Sequence, residues 1–111
     1  MSNPSMRISF IVKENKRKKK TLAALILNSK YLTGFSSINF YHTTHAGHAI
    51  ELAKEQIENN INVIIAVGGD GTLNEVLNGI LFHPYKNTII GYFPLGTAND
   101  FAKTAGEIDS V

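Results

Sequence analysis

Five consecutive apolar residues, Val63 to Val67, run directly into Gly68-Gly69-Asp70-Gly71-Thr72, and an amphipathic stretch follows at once. An unbroken, β-branched run of this length suits a strand covered on both faces, the habit of parallel sheets. Such a strand requires apolar layers above and below it. After the glycines, Leu73, Val76, Leu77, Ile80 and Leu81 share one helical face, and Thr72 with Glu75 has the spacing of a capping box. A helix is therefore expected there, ending by Pro84.

The rest of the chain repeats this grammar. Arg7 to Val12 reads as a first strand. A basic run follows, and Leu22 to Leu27 then has helical spacing. Ser37 to Thr43 reads as a second strand, entered through the turn pair Thr33-Gly34. Ala46, Ala49, Ile50, Ala53 and Ile57 then fall on one helix face, and Asn59-Asn60 stops the helix. Thr88 to Tyr92 reads as a fourth strand, Pro94-Leu95-Gly96 as a loop, and Asn99 or Asp100 as the cap of a last helix running to about Ala105. Strand and helix alternating in this way predict an α/β three-layer sandwich with a mainly parallel sheet, in one domain spanning 1–111. Parallel connections share one hand, so the carboxyl ends of all strands lie along one edge, where ligands of open α/β sheets bind.

Composition narrows the function. A formal charge of +2 over 111 residues is too small for general attraction to nucleic acid, and 43% hydrophobic residues suit a folded domain. Without cysteine there is no disulfide framework and no thiolate metal site; a reducing, cytoplasmic setting is expected. The apolar runs are far shorter than the ~20 residues of a membrane span, and Met1 to Met6 lacks the pattern of a secretory signal.

Gly68-Gly69-Asp70-Gly71-Thr72 sits where a strand hands over to a helix. The first amides of a helix are unpaired, glycines permit positive φ and close approach, and the helix dipole favours negative charge. A nucleotide phosphate is the expected ligand; a tight turn that needs glycine only for its own geometry is the plainer alternative. Asn74 stands where a dinucleotide fingerprint needs its third glycine, and Lys103-Thr104 lacks the glycine of a Walker loop. Two further segments end at the same sheet edge: Thr43-Thr44-His45-Ala46-Gly47-His48, and Pro94 to Phe101 with Gly96, Thr97, Asn99 and Asp100. Each alone is a capped turn as readily as a site.

In combination, Gly-Gly-Asp-Gly-Thr-Leu-Asn-Glu-Val (68 to 76), Pro-Leu-Gly-Thr-Ala-Asn-Asp-Phe-Ala (94 to 102) and Thr-Thr-His-Ala-Gly-His-Ala (43 to 49) closely resemble the diacylglycerol kinase catalytic domain, a family of bacterial lipid kinases and of sphingosine and ceramide kinases. The first 42 residues match only in element order, since Lys13 to Lys20 stands where the family commonly carries an Asn-Pro and Ser-Gly loop. The resemblance implies the Rossmann-like N-terminal domain of a lipid kinase that transfers phosphate from ATP, with Mg2+, to a lipid hydroxyl such as that of diacylglycerol. It implies nucleotide contacts from Thr43, Gly68, Gly69, Asp70, Gly71, Thr72, Leu73 and Asn74, and from Gly96 and Thr97 on the neighbouring loop. Glu75 is expected to close the helix cap. Asp70 is expected to be essential, its carboxylate beside phosphates needing magnesium, a sugar hydroxyl or a proton-transfer role to offset repulsion. Asp100 is expected to support its loop.

One sheet edge supplies one wall of a phosphoryl-transfer site. The resemblance implies a second, mainly β domain that closes the cleft, so the chain is expected to be the nucleotide-binding part of a longer kinase whose β-rich domain is absent, to be inactive alone, and to self-associate through any bare interface. The basic run at 13–20 is read first as a solvated loop and helix start, and second as a patch for phosphate or for the anionic membrane surface carrying the lipid. His42, His45 and His48 recur every third residue but straddle a strand end and a helix start, which favours solvated or capping roles over zinc. The rival readings are a NAD kinase-like enzyme and a stand-alone nucleotide-binding regulatory module.

Overall fold

The computed structural model describes residues 6–13, 32–81, 83 and 87–94. Four strands, β1 (Arg7–Lys13), β2 (Ser37–Thr43), β3 (Val63–Gly68) and β4 (Ile89–Pro94), form one sheet in the order β2-β1-β3-β4, with every pairing parallel. Helix α1 (His48–Glu58) carries the chain from β2 past β1 to β3, and α2 (Asp70–Ile80) links β3 to its neighbour β4. This is the expected α/β architecture. The helices expected from Leu22 and from Asn99 or Asp100, with the loop at Leu95-Gly96, lie outside the described residues.

The central strands β1 and β3 are buried on both sides, as the continuous apolar run predicts. One face packs Ile11, Ile64 and Ala66 against Ala49, Leu52, Ala53 and Ile57 of α1 and Val76 of α2. The other buries Ile8, Phe10, Val12, Val63 and Val67, where the rings of Phe10 and Phe40 stack at 5.0 Å. Two polar contacts fix α1 on the sheet. Ser9 Oγ donates to Gln56 Oε1 at 2.7 Å in the buried layer, and the Arg7 guanidinium donates to the carbonyls of Asn59 and Asn60 at 2.6 and 3.2 Å. The second contact places a cation at the negative end of the helix dipole.

Several sequence expectations are corrected in detail. The buried face of α1 is Ala49, Leu52, Ala53, Gln56 and Ile57; Ala46 precedes the helix and is exposed, and Ile50 is half-buried. Helix α2 begins at Asp70 with Gly69 as its N-cap and no side-chain cap bond, so Thr72 and Glu75 form no capping box. Its buried residues are Thr72, Val76 and Gly79, while Leu77 and Leu81 are 44% and 71% exposed. The reason is the neighbouring helix. At Gly79 a Cβ would meet the Ile50 carbonyl oxygen at 2.5 Å and Ala53 Cβ at 2.8 Å, so α1 crosses closely over the smallest residue of α2 and turns the leucines outward. Finally, β4 runs from Ile89 rather than Thr88 and includes Pro94, a residue tolerated at a strand end because no ladder bond is then lost.

Candidate functional site

The parallel sheet brings its strand ends to one edge in register: Lys13 pairs with Thr43, and Gly68 with Pro94. Two connections rise from that edge, Thr44–Gly47 after β2 and Gly69 after β3, each feeding a helix N-terminus. Gly68 is the pivot. Its φ of 155° and the 2.5 Å separation between a hypothetical Cβ and Thr72 Oγ1 both demand glycine. Gly69 and Gly71 differ from this pattern. Neither has positive φ, and around each a Cβ would meet nothing within 4 Å. Here the lack of a side chain leaves the backbone open to an approaching group. The amides of Thr72 and Leu73 close on the Gly69 carbonyl, at 3.1 and 3.3 Å, whereas those of Asp70 and Gly71 meet no acceptor among the described residues.

Beside this turn lies a cleft of about 460 Å³, lined by Lys13, Thr43, Thr44, His45, Ala46, Ala49, Gly71, Thr72 and Glu75. Its size falls in the usual range of small-molecule sites. It offers an ammonium, threonine hydroxyls and two helix N-termini to an anion, with Glu75 as the acidic member. A second cavity of about 480 Å³ flanks α2 on its other side and is lined by Asp70, Gly71, Leu73, Asn74 and Leu77. The helix therefore divides the sequence-predicted residues. Thr43, Gly71 and Thr72 share the cleft, although Thr72 is only 5% exposed and Gly71 lines both cavities. Asp70, Leu73 and Asn74 face the second cavity, Gly69 is exposed at the turn, and Gly68 is buried beneath it. Gly96, Thr97, Asn99 and Asp100 lie outside the described residues, as do residues 14–20 of the basic run.

Glu75 lines the cleft in place of capping the helix. Lys13, which the sequence hides in a charge run, is the last residue of β1 and part of the cleft wall. The histidines act separately. His48 Nδ1 accepts the Thr44 N–H at 3.0 Å, closing the β2–α1 turn, and the His45 ring stacks on it at 4.4 Å. His45 Nε2 lies 3.6 Å from Glu51 Oε2, while His42 sits half-buried within β2. Among the described residues no three His, Cys, Asp or Glu side chains gather as a metal set.

Tyr92, an unremarked strand residue in the sequence, reaches the turn from β4. Its hydroxyl lies 3.2 Å from Asp70 Oδ1 and 3.4 Å from the Gly68 carbonyl oxygen. Burial first, and the Asp70 bond and charge second, raise its phenol above the ordinary tyrosine value. Register is the signal that could have found it: Tyr92 pairs with Ala66, whose small side chain leaves room for a ring beneath α2.

Comparison with known proteins adds to this geometry. A family model described as the diacylglycerol kinase catalytic domain matches residues 7–109. Proteins named diacylglycerol kinase from Staphylococcus saprophyticus and Bacillus subtilis are 41% and 42% identical over 85 and 89 residues, or 77% and 79% of this chain. One from Staphylococcus carnosus is 38% identical over 87% of it. The matches span 27%, 28% and 31% of those relatives respectively, so the chain covers under a third of their length. A solved structure of a diacylglycerol kinase from Bacillus anthracis superposes with a TM-score of 0.67 at 25% identity, covering 92% of this chain and 37% of that one.

Proposed function

Because the chain belongs to the diacylglycerol kinase catalytic domain family, we propose that it is the nucleotide-binding part of an ATP-dependent lipid kinase that phosphorylates a lipid hydroxyl such as that of diacylglycerol. The observation that carries this reading is the cleft at the strand ends. Open glycine backbone, amides of Asp70 and Gly71 that meet no acceptor among the described residues, and the Lys13 ammonium together suit the phosphates of a nucleotide. Thr43 and Thr72 add hydroxyls to the same wall. The lining forms one side of a transfer site, and the reading assigns the acceptor side to the remainder of a longer protein.

Magnesium fits this arrangement in a limited way. It commonly takes one or two carboxylates together with phosphate oxygens and water. Asp70, the exposed carboxylate on the glycine turn, lines the second cavity rather than the cleft, but its neighbour Gly71 lines both, and it is the residue that would hold the cation with the nucleotide. When bound, the cation would neutralise charge on the phosphates. No helix of the described residues is long and apolar enough to cross a membrane. A lipid acceptor resides in a membrane, and this reading has it meet the protein at the membrane surface.

The test is calorimetric titration of ATP with Mg2+ into the chain, paired with Gly71→Val. Saturable binding that the valine abolishes without unfolding the protein is expected; binding unchanged in the variant would overturn the site. A phosphoryl-transfer assay of a longer form against diacylglycerol, a sphingoid base and NAD separates the lipid kinase from a NAD kinase-like enzyme.

A further inference from the structure

We infer that Tyr92 is a positioning residue for Asp70, holding one carboxylate oxygen so that the other is presented to a divalent cation carried by the nucleotide. This rests on the nucleotide-binding reading above and adds a residue of a different element to it. Tyr92 Oη lies between two acceptors, Asp70 Oδ1 at 3.2 Å and the Gly68 carbonyl at 3.4 Å. A phenol has one proton to donate. It either bonds the carboxylate or rests on the carbonyl of the residue that shapes the turn, and both positions keep it at the base of the same loop. The half-buried ring pairs with Ala66 across the sheet and packs against the core cluster that also holds Ile64 and Val76, so the hydroxyl is delivered from a fixed platform. Asp70 has no such support of its own. It is exposed, it is the first residue of α2, and its Oδ2 has no partner among the described residues. An unsupported carboxylate there would sample several rotamers, and orienting it before the ligand arrives removes that entropy from the binding step.

The chain makes the inference testable without catalysis. In protein labelled at the aspartate carboxyl carbon, with the Asp70 resonance assigned through Asp70→Asn, the Tyr92→Phe variant shifts that resonance in the absence of nucleotide and metal. Titrations of ATP are then run with Mg2+ and with EDTA. Tyr92→Phe is expected to weaken the Mg2+-dependent affinity by about threefold to tenfold, the worth of one hydrogen bond. It leaves the affinity in EDTA unchanged, and it costs nothing further in the Asp70→Asn background. A structural defect would instead lower both affinities together. An unmoved Asp70 resonance, equal losses with and without metal, or an undiminished effect in the Asp70→Asn background each overturn the inference. Should the wild-type chain bind no nucleotide at all, the kinase reading fails, and the pairing of Tyr92 with Asp70 is judged on the carboxyl resonance alone.

Discussion

Two glycines of α2 face opposite environments, and substituting each by alanine should move stability in opposite directions. At Gly79 the new Cβ would sit 2.5 Å from the Ile50 carbonyl oxygen and 2.8 Å from Ala53 Cβ. Neither obstacle is the far end of a flexible side chain, so α1 must shift, and overpacking of this kind costs about 1–3 kcal/mol, here towards the upper end. Alanine also improves helix propensity by about 1 kcal/mol. The net expectation for Gly79→Ala is a loss of about 1–2 kcal/mol, or a fall in Tm of roughly 4–10 °C for a domain of this size. At Gly71 nothing lies within 4 Å of the added methyl, so the propensity gain stands alone and the variant should be equal to or up to about 1 kcal/mol more stable than wild type. The two variants make the same chemical change in the same helix, and their difference isolates the contact with α1. Urea unfolding followed by helix circular dichroism gives both values. Gly79→Ala at least as stable as Gly71→Ala would refute the close crossing of α1 and α2. The Gly71 methyl has its own cost, because it projects into the space left for the ligand. A more stable protein that binds ATP less well is the expected signature.

Lys13→Ala should leave Tm within about a degree, since Lys13 is exposed, yet weaken ATP binding several-fold, with the deficit shrinking as salt is raised. Affinity unaffected at low salt would remove Lys13 from the site. The raised phenol of Tyr92 also fixes a sign for alkaline stability. Its folded value lies above the unfolded 10.0, so its contribution is complete below pH 10 and is lost as pH rises through the folded value. Urea midpoints of wild type should therefore fall more steeply than those of Tyr92→Phe above pH 10, and parallel curves would show that no such coupling exists.

The fold was legible where local signals coincided with tertiary demands. Val63 to Val67 is buried on both faces because β3 is central, and Ser37 to Thr43 is a strand with the expected bounds. Periodicity placed Leu73, Val76 and Ile80 of α2 against the core but missed the exposure of Leu77 and Leu81, because it cannot know what crosses the helix. Leu73, Val76, Leu77, Ile80 and Leu81 satisfy the spacing, but the close approach at Gly79 decides which side is buried. The capping-box spacing of Thr72 and Glu75 misled in the same way. The cap is Gly69, three residues before Thr72, so both side chains are already within the helix and turn towards the cleft. With the start at Asp70, helical geometry alone separates Thr72 and Glu75 from Asp70, Leu73, Asn74 and Leu77, while Gly71 lies between them and lines both cavities. Lys13 and Tyr92 were hidden for another reason. Their roles depend on strand register, a long-range property to which neither residue's neighbours in sequence give any clue.

The buried pair between Ser9 and Gln56 bears on the cleft from a distance. Sliding α1 along the sheet would strand both polar groups in an apolar layer, and Arg7 resists the same movement from the carboxyl end of the helix. Ala49, two turns earlier on that rod, forms part of the cleft lining. The gauge of the binding groove is thus set by a bolt at the opposite end of α1, and substitutions there would retune ligand fit without touching any residue that meets the ligand.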